Sequence, residues 1–220
     1  MGDKLRFRFI KVGRAKYISH LDLMATMRRA LLRAGVELKY SEGFNPHPYV
    51  SAAIPLQVGY ESVCELMDVG IAGNMPAAGL PAAINARLPE GLEILEAYLP
   101  ERKFNEIAWL EINGILHYDK AMPEDAALRL TERFAGESII IHKKTKRGSS
   151  DIDIAPFIRD VGFFNVGGAV TMNVKLSAQN PTINPGDLMS ALVGEHEDLA
   201  PGFTGFGRIE TFDKDFNVFR

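Results

Sequence analysis

Two short segments carry the side chains best able to bind or react with a ligand. The first, Ser41–Val50 (SEGFNPHPYV), combines an amide, an imidazole and two aromatic rings with two prolines and a glycine. The prolines fix their own φ angles and bias the residues before them, Asn45 and His47, towards extended backbone. Gly43 permits a turn with positive φ. The pattern predicts a preformed loop that loses little entropy on binding.

The second segment, Ser19-His20-Leu21-Asp22, precedes a helical pattern. A serine followed three positions later by an acidic residue is typical of a helix N-terminus, where unpaired amides and the helix dipole favour an anion. If this segment meets the loop, His20 and the polar loop side chains would surround a small pocket beside a basic helix. The sequence leaves open whether the two segments lie at the same end of the sheet. The candidate substrate-binding residues are Ser19, His20, Arg28, Arg29, Tyr40, Ser41, Gly43, Phe44, Asn45 and His47.

Each piece also has a purely structural explanation. Ser19 and Asp22 can act only as helix caps, and His20 can be a solvated side chain. Asn45 can form an Asx-turn, and His47 can pack between the prolines. Spacing alone groups no serine, histidine and carboxylate into a triad. The two histidines lack a third ligand at metal spacing, so no zinc site is predicted.

The glycine-rich segment Gly202–Arg208 (GFTGFGR) is a weaker candidate. It does not lead from a strand into a helix, as a phosphate-binding loop must. A tight edge turn is predicted here, with a backbone platform for a nucleic-acid strand as the alternative.

Hydrophobic periodicity places the two main segments within a β-α-β-β-α-β order. Lys4–Lys11 alternates apolar and basic residues, which predicts a strand with one buried face. A helix runs from Ser19 to a C-cap at Gly35. The other elements of the first half are strands at Val36–Tyr40, Tyr49–Ile54 and Val63–Ile71, a helix at Leu80–Leu88 and a strand at Leu92–Leu99. With one extra strand, this is the split βαβ, or ferredoxin-like, pattern.

The second half repeats this order. Its predicted elements are a strand at Ile107–His117, a helix at Pro123–Phe134, a strand at Ser138–Lys143, a basic loop at Lys143–Arg147, strands at Ile152–Ile158 and Ala169–Ser177 around a Gly167-Gly168 turn, a helix at Asn184–Val193 and a strand at Arg208–Asp213. The predicted fold class is α+β, with two tandem ferredoxin-like (β-α-β-β-α-β) units that have antiparallel sheets. The predicted domains are residues 1–100 and 101–220.

Composition limits the class of protein. The chain has 220 residues, 46% of them hydrophobic, and no apolar run long enough to cross a bilayer. Its N-terminus lacks the apolar core of a signal peptide, so a cytoplasmic location is expected. The single cysteine, Cys64, excludes an internal disulfide and a cysteine-ligated metal or iron–sulfur site within one chain. We expect no cofactor bound by this chain.

Charge is distributed unevenly along the chain. Residues 1–40 contain ten lysines and arginines against three acidic residues, although the whole chain has a net charge of −3. Such segregation can mark a face that binds a polyanion, or a set of solvated side chains on an exposed strand and helix.

Several motifs resemble the radical-SAM-linked family of uncharacterised bacterial proteins. They are the runs RAKYISHLDL at Arg14–Leu23, Arg28-Arg29-Ala30, YSEGFNPHP at Tyr40–Pro48, and Pro55-Leu56 with Gly59-Tyr60-Glu61-Ser62. Members of that family are fused to, or encoded beside, a radical SAM protein. The resemblance implies such a partner, which uses SAM and an iron–sulfur cluster. This chain has no Cys-x3-Cys-x2-Cys motif and is similar to the stand-alone appended part.

The leading hypothesis is an accessory, non-catalytic module that holds RNA, or an RNA-containing substrate, for a radical SAM enzyme. Exposed aromatic rings could stack on bases, and basic residues could contact phosphates. A second hypothesis is a metal-independent endoribonuclease, in which His20 is the acid or base and Arg28 or Arg29 stabilises the phosphorane. A third is a small-anion sensor that docks on the partner enzyme.

Overall fold

The computed structural model describes residues 4–73, 75–119, 122–145, 148–192 and 196–220. The chain divides into an N-terminal unit, which extends to Glu106 and includes Arg220, and a C-terminal unit, Ile107–Phe219. Both units combine helices with antiparallel strands, so the fold class is α+β. None of the described helices is both long and apolar enough to cross a membrane.

The N-terminal unit is a four-stranded antiparallel sheet with two helices. Its elements are β1 (Lys4–Lys11), α1 (His20–Arg33), β2 (Val50–Ala52), β3 (Glu61–Gly70), α2 (Leu80–Asn85) and β4 (Leu92–Tyr98). The strands lie in the order β4-β1-β3-β2. Alternate residues of β1, such as Phe7 and Phe9, share one buried core with Met27 and Leu31 of α1. The helical spacing of the apolar residues in α1 thus covers one face of the sheet.

Arg6, on the opposite face of β1, is fully buried, so the predicted single buried face of this strand is wrong. Its Nε donates to Asp68 at 2.7 Å and its Nη2 donates to the Asp68 carboxylate at 3.1 Å. The same Nη2 donates to the Arg102 carbonyl at 2.8 Å, and the guanidinium lies 4.2 Å from the ring centre of Phe104. The segment after β4 therefore packs on β1, and the unit extends beyond the predicted boundary at residue 100.

The C-terminal unit contains four antiparallel sheet strands and a separate hairpin. Its elements are β5 (Trp109–His117), α3 (Ala126–Phe134), β6 (Ile140–Thr145), β7 (Gly148–Asp153), β8 (Ile158–Val166), β9 (Ala169–Ser177), α4 (Pro185–Ser190) and β10 (Phe203–Phe212). The sheet order is β10-β5-β9-β8, and β6 pairs with β7 alone. The predicted Gly167-Gly168 turn joins β8 to β9, and both glycines have positive φ.

In the C-terminal unit, three predicted elements differ from the observed structure. The predicted strand Ile152–Ile158 is interrupted by a 3-10 turn at Ala155–Phe157, because Pro156 cannot donate to a ladder. Residues 138–143 contribute to the separate hairpin rather than to the sheet. The predicted basic loop at 143–147 belongs to β6 as far as Thr145, and residues 146–147 lie outside the described ranges.

The glycine-rich segment is part of strand β10 rather than an edge turn. Gly207 lies opposite Asn113 in the ladder with β5. A Cβ atom on Gly207 would lie 2.6 Å from the Asn113 Oδ1, which is too close for any larger residue unless that side chain moves. The glycine therefore makes room for a cross-strand neighbour, which a sequence pattern of turn residues does not reveal.

The Val36–Tyr40 segment forms only isolated bridges, Leu38 with Ile71 and Tyr40 with Pro48. The predicted strand at this position is therefore wrong. The Lys39 amide donates to the Gly70 carbonyl, and the Lys39 carbonyl accepts from the Tyr49 amide. The segment thus has too few consecutive pairs with any one neighbour to form a ladder.

The buried ion pair predicts a large loss of stability when one partner is neutralised. We expect Asp68→Asn to lower the free energy of unfolding of the N-terminal unit by about 3–5 kcal/mol, because the buried Arg6 loses its carboxylate. Urea denaturation monitored at equilibrium measures this loss.

Glu96→Gln is the matched control, because Glu96 pairs with the more exposed Arg8 of the same strand. We expect this substitution to cost about 1 kcal/mol or less. Equal losses from the two substitutions would contradict the account of the buried pair.

Candidate nucleic-acid interface

Residues Tyr40–Tyr49, called the 40–49 loop below, form a loop that is closed by its own hydrogen bonds and held at the end of β3. Ser41 N donates to the His47 carbonyl at 2.9 Å, which closes the loop on itself. Tyr49 N donates to the Lys39 carbonyl at 2.9 Å, and Gly70 N donates to the Tyr49 carbonyl at 2.7 Å. The two ends of the loop are thus tied to each other and to the last residue of β3.

The Ser41 hydroxyl organises the interior of the loop. Its oxygen accepts a hydrogen bond from the His47 backbone amide at 3.1 Å and lies 3.0 Å from the His47 Nδ1. The same Nδ1 lies 3.4 Å from the Asn45 carbonyl oxygen. Gly43 has the predicted positive φ, at 116°. Within the described residues, the Nε2 of His47 has no hydrogen-bond partner, so this nitrogen is available to a ligand.

Three aromatic side chains of the 40–49 loop are exposed. Phe44 is fully exposed, and Tyr40 and Tyr49 are each nearly half exposed. A phenylalanine ring usually contributes to a core, and a group of exposed rings on one loop is a candidate interaction surface. The flat faces of these rings, held on a loop fixed by its own hydrogen bonds, can stack on the bases of a nucleic acid.

Basic residues flank the loop at the same end of the unit. Lys39 is exposed and its backbone is paired with that of Tyr49. Arg33 is also exposed and lies in the last turn of α1. The chain runs from there to the bridge between Leu38 and Ile71, next to the end of β3. This end therefore combines aromatic faces with two exposed cations and two exposed carboxylates, Glu37 and Glu42.

The Ser19-His20 segment lies at the other end of β3. Gly59 N donates to the Lys16 carbonyl at 2.9 Å, and the Lys16 Nζ lies 3.3 Å from the Glu61 carboxylate, at the start of β3. The 40–49 loop is bonded to Gly70, at the end of β3. The ten residues of β3 separate the two positions by roughly 30 Å.

The two segments therefore do not meet in one pocket, which the sequence had left open. The physical reason is helix α1, whose 14 residues carry the chain from one end of the sheet to the other before the loop begins. Binding by the loop residues themselves stays a prediction.

Ser19 has the structural role that the capping pattern predicts. Its oxygen accepts a hydrogen bond from the Asp22 amide at 3.1 Å, and its hydroxyl donates to the Asp22 carboxylate at 2.7 Å. His20 is the first residue of α1 and is half-buried. The described residues offer it no hydrogen-bond partner.

Arg28 and Arg29 lie two turns further along α1 than His20. Arg29 is exposed, and its Nη2 donates to the Thr26 hydroxyl at 3.3 Å. The Nε of Arg28 is buried and has no hydrogen-bond partner within the described ranges. The eight residues from His20 to Arg28 advance about 12 Å along the helix axis, so the structure does not bring the three side chains together.

Much of the positive charge in residues 4–16 is neutralised within the unit. Lys4 and Arg6 pair with Asp68, Arg8 pairs with Glu96, and Lys16 pairs with Glu61. Lys11 is also buried: desolvation lowers its pKa, against the opposing effect of Glu65, and its Nζ donates to the Lys16 carbonyl. The basic β1 side chains are therefore a poor surface for phosphates, contrary to what the charge pattern indicates.

Sequence reasoning missed a second cluster, which lines a cavity in the C-terminal unit. His142 Nδ1 lies 2.8 Å from the Asp151 carboxylate, and Arg133 and His196 line the same cavity. The pairing of His142 with Asp151 depends on the register of the β6–β7 hairpin, so only a correct hairpin prediction could have found it. Over the described ranges, no group of three or more histidine, cysteine, aspartate and glutamate residues could hold a metal ion.

Comparison with known proteins identifies a family and a fold. The family model described as "Uncharacterized protein conserved in bacteria (DUF2344)" matches residues 4–185. No curated protein is similar enough in sequence to count as a match. A chain of the solved structure titled "Crystal Structure of a Cbf5-Nop10-Gar1 Complex" has 13% sequence identity and a TM-score of 0.52. The match covers 96% of the present chain but only half of that chain, and at this identity it shows similarity of fold alone.

The loop geometry predicts that Ser41→Ala loosens the 40–49 loop. Without the hydroxyl, the His47 amide loses its acceptor, and we expect its hydrogen exchange to become about three- to tenfold faster. Glu42→Ala changes an exposed neighbour in the same loop and should leave that exchange rate unchanged. Equal exchange of the His47 amide in both variants and in the original protein would contradict a loop held by Ser41.

Proposed function

We propose that this chain, which belongs to the family of bacterial proteins described as DUF2344, binds single-stranded RNA through the 40–49 loop. The observation that supports this proposal most strongly is the full exposure of Phe44 on a loop fixed by internal hydrogen bonds. A base stacked on an aromatic side chain contributes about 1–3 kcal/mol to binding. The preformed loop keeps the entropic cost of binding low.

Charge favours unpaired bases over a duplex as the ligand. The net charge of −3 and a pI near 6.0 oppose general binding to a polyanion, and many of the N-terminal cations are paired internally. Affinity must then come mainly from stacking, which requires bases that are not already in a helix. His47 and Asn45 add polar groups beside the rings, suited to a base edge or a ribose hydroxyl.

Each unit is best interpreted as ferredoxin-like. In the N-terminal unit the order β1-α1-β2-β3-α2-β4 with sheet order β4-β1-β3-β2 supports this interpretation. In the C-terminal unit, β5-α3-β8-β9-α4-β10 with sheet order β10-β5-β9-β8 supports it too, with β6 and β7 as an inserted hairpin.

The proposed partner is a radical SAM enzyme, for which this chain would hold the RNA substrate. The support is the sequence resemblance of the Ser-His-Leu-Asp and Gly-Phe-Asn-Pro-His-Pro motifs. The single cysteine, Cys64, is buried in β3, so the SAM-binding cluster would belong to the partner.

RNA binding without cleavage is favoured over the endoribonuclease hypothesis. His20 lies at the far end of β3 from the exposed rings, and no hydrogen bond among the described residues joins it to Arg28 or Arg29. A general acid or base needs a second group positioned on the same phosphate.

Stacking predicts a specific effect of Phe44→Ala. We expect the Kd for a labelled, unstructured single-stranded RNA to rise at least fivefold, because one base loses its stacking partner. Fluorescence anisotropy with the purified chain measures this Kd.

Tyr17→Ala is the matched control, because Tyr17 is also an exposed aromatic residue but lies at the other end of the N-terminal unit. We expect it to change the Kd less than about twofold. An equal loss in both variants would move the interface away from the loop, and shortened RNA that depends on His20 would favour the endoribonuclease.

The partner proposal predicts co-purification of a radical SAM protein and RNA with the tagged chain. We expect Phe44→Ala to reduce the recovered RNA while the enzyme is still recovered, because the loop contacts RNA rather than the partner. Mass spectrometry and RNA sequencing of the purified material provide the readout. Recovery of RNA without any radical SAM protein would contradict the partner and leave RNA binding intact.

A further inference from the structure

We propose that the C-terminal unit contains a separate binding site for a small molecule that carries a phosphate group. A cavity of about 740 Å³ lies among the end of α3, the β6–β7 hairpin and α4. Ligand pockets commonly enclose about 300–1,000 Å³. The residues that carry the inference are Arg133, Ile140, His142, Asp151, Ser190 and His196, all of which line the cavity.

Arg133 provides the charged contact for the phosphate. It lies in the last turn of α3, and its Nη1 reaches the Ser138 carbonyl only at 3.5 Å. Its Nε is buried and has no hydrogen-bond partner in the described part of the chain. The contact with Ser138 uses only one of the five N–H donors of the guanidinium, so other donors of this cavity-lining residue can reach a phosphate oxygen with the geometry that arginine prefers.

Two imidazoles supply further polar contacts in the same cavity. The His142 Nδ1–H donates to Asp151, which fixes the ring and leaves Nε2 as an acceptor for a hydroxyl of the ligand. His196 lines the cavity from the segment after α4. The Ser190 hydroxyl donates to the Asp187 carbonyl at 2.7 Å, so its oxygen can still accept a hydrogen bond.

Asp151 is the one acidic residue among the described residues that line the cavity, whereas Asp187 on α4 and Asp198, two residues after His196, both pair with cations. Asp187 pairs with Lys143 at 2.9 Å, and Asp198 pairs with Arg129 at 2.6 Å. The hydrogen bond from Arg129 holds the pKa of Asp198 below its usual range. The Asp151 carboxylate is hydrogen-bonded to the His142 ring.

The wall of the cavity also has an apolar part. An inorganic phosphate ion would make no favourable contact with it, so the ligand should also have an apolar part. Ile140 is half exposed beside His142 on β6, and Ile141 and Ala191 line the cavity as well. The chemical class that fits is therefore a phosphate ester with an apolar or aromatic body, such as a nucleoside monophosphate.

Titration of the full chain with inorganic phosphate and, separately, with AMP tests this site. We expect saturable binding of both probes by phosphorus NMR at low salt, with AMP the tighter because it also contacts the apolar wall. Arg133→Gln should weaken both by about tenfold or more, because the charged hydrogen bonds are lost. RNA affinity at the 40–49 loop should be unchanged, because the loop belongs to the other unit.

Two further variants complete the experiment. Lys214→Gln removes one positive charge from an exposed residue of the same unit and should alter the affinity less than about twofold. His142→Ala changes an exposed side chain, so it tests the cavity even if Arg133→Gln does not fold, and should weaken AMP binding at least about threefold. No saturable binding of either probe, or equal binding by His142→Ala and Lys214→Gln, would overturn the proposal.

Discussion

The antiparallel pairing of β3 with β1 and β2 determines which loops of the N-terminal unit can act together. The register joins Lys11 to Ser62 at one end of β3 and Lys4 to Gly70 at the other. Because α1 crosses from the first end to the second, the helix start and the 40–49 loop cannot share one small ligand. The exposed rings must therefore act with the groups at their own end, where Lys39 and Arg33 are the nearest exposed cations along the chain.

Burial of charge on β1 reinforces this constraint. A run of alternating basic residues resembles a surface for phosphates, but Arg6 is held by Asp68 and covered by the ring of Phe104. Breaking this buried pair would destabilise the sheet, and the paired charge contributes little electrostatic field outside it. An acidic protein with paired cations can still bind RNA if flat aromatic faces supply the affinity, and the exposure of Phe44 fits that requirement.

Local signals were sufficient for part of the fold and of the site. The capping pattern at Ser19 predicted the start of α1, and Gly43 predicted the positive φ in the loop. Strand β10 was predicted short because its glycines make room for cross-strand neighbours, a feature that depends on pairing with β5. The distance between His20 and the loop, and the cavity that includes His142 and Asp151, depend likewise on register. Periodicity within one segment carries no information about register between segments.

Ultraviolet crosslinking of single-stranded RNA to the full chain, with the crosslinked peptides mapped by mass spectrometry, tests the central claim most directly. Stacked aromatic side chains lie against the bases, so crosslinks should concentrate on Tyr40, Phe44 and Tyr49. Their yield should fall when unlabelled RNA competes. Crosslinks confined to the segment before α1, or to the C-terminal unit, would contradict the assignment of the 40–49 loop as the RNA interface.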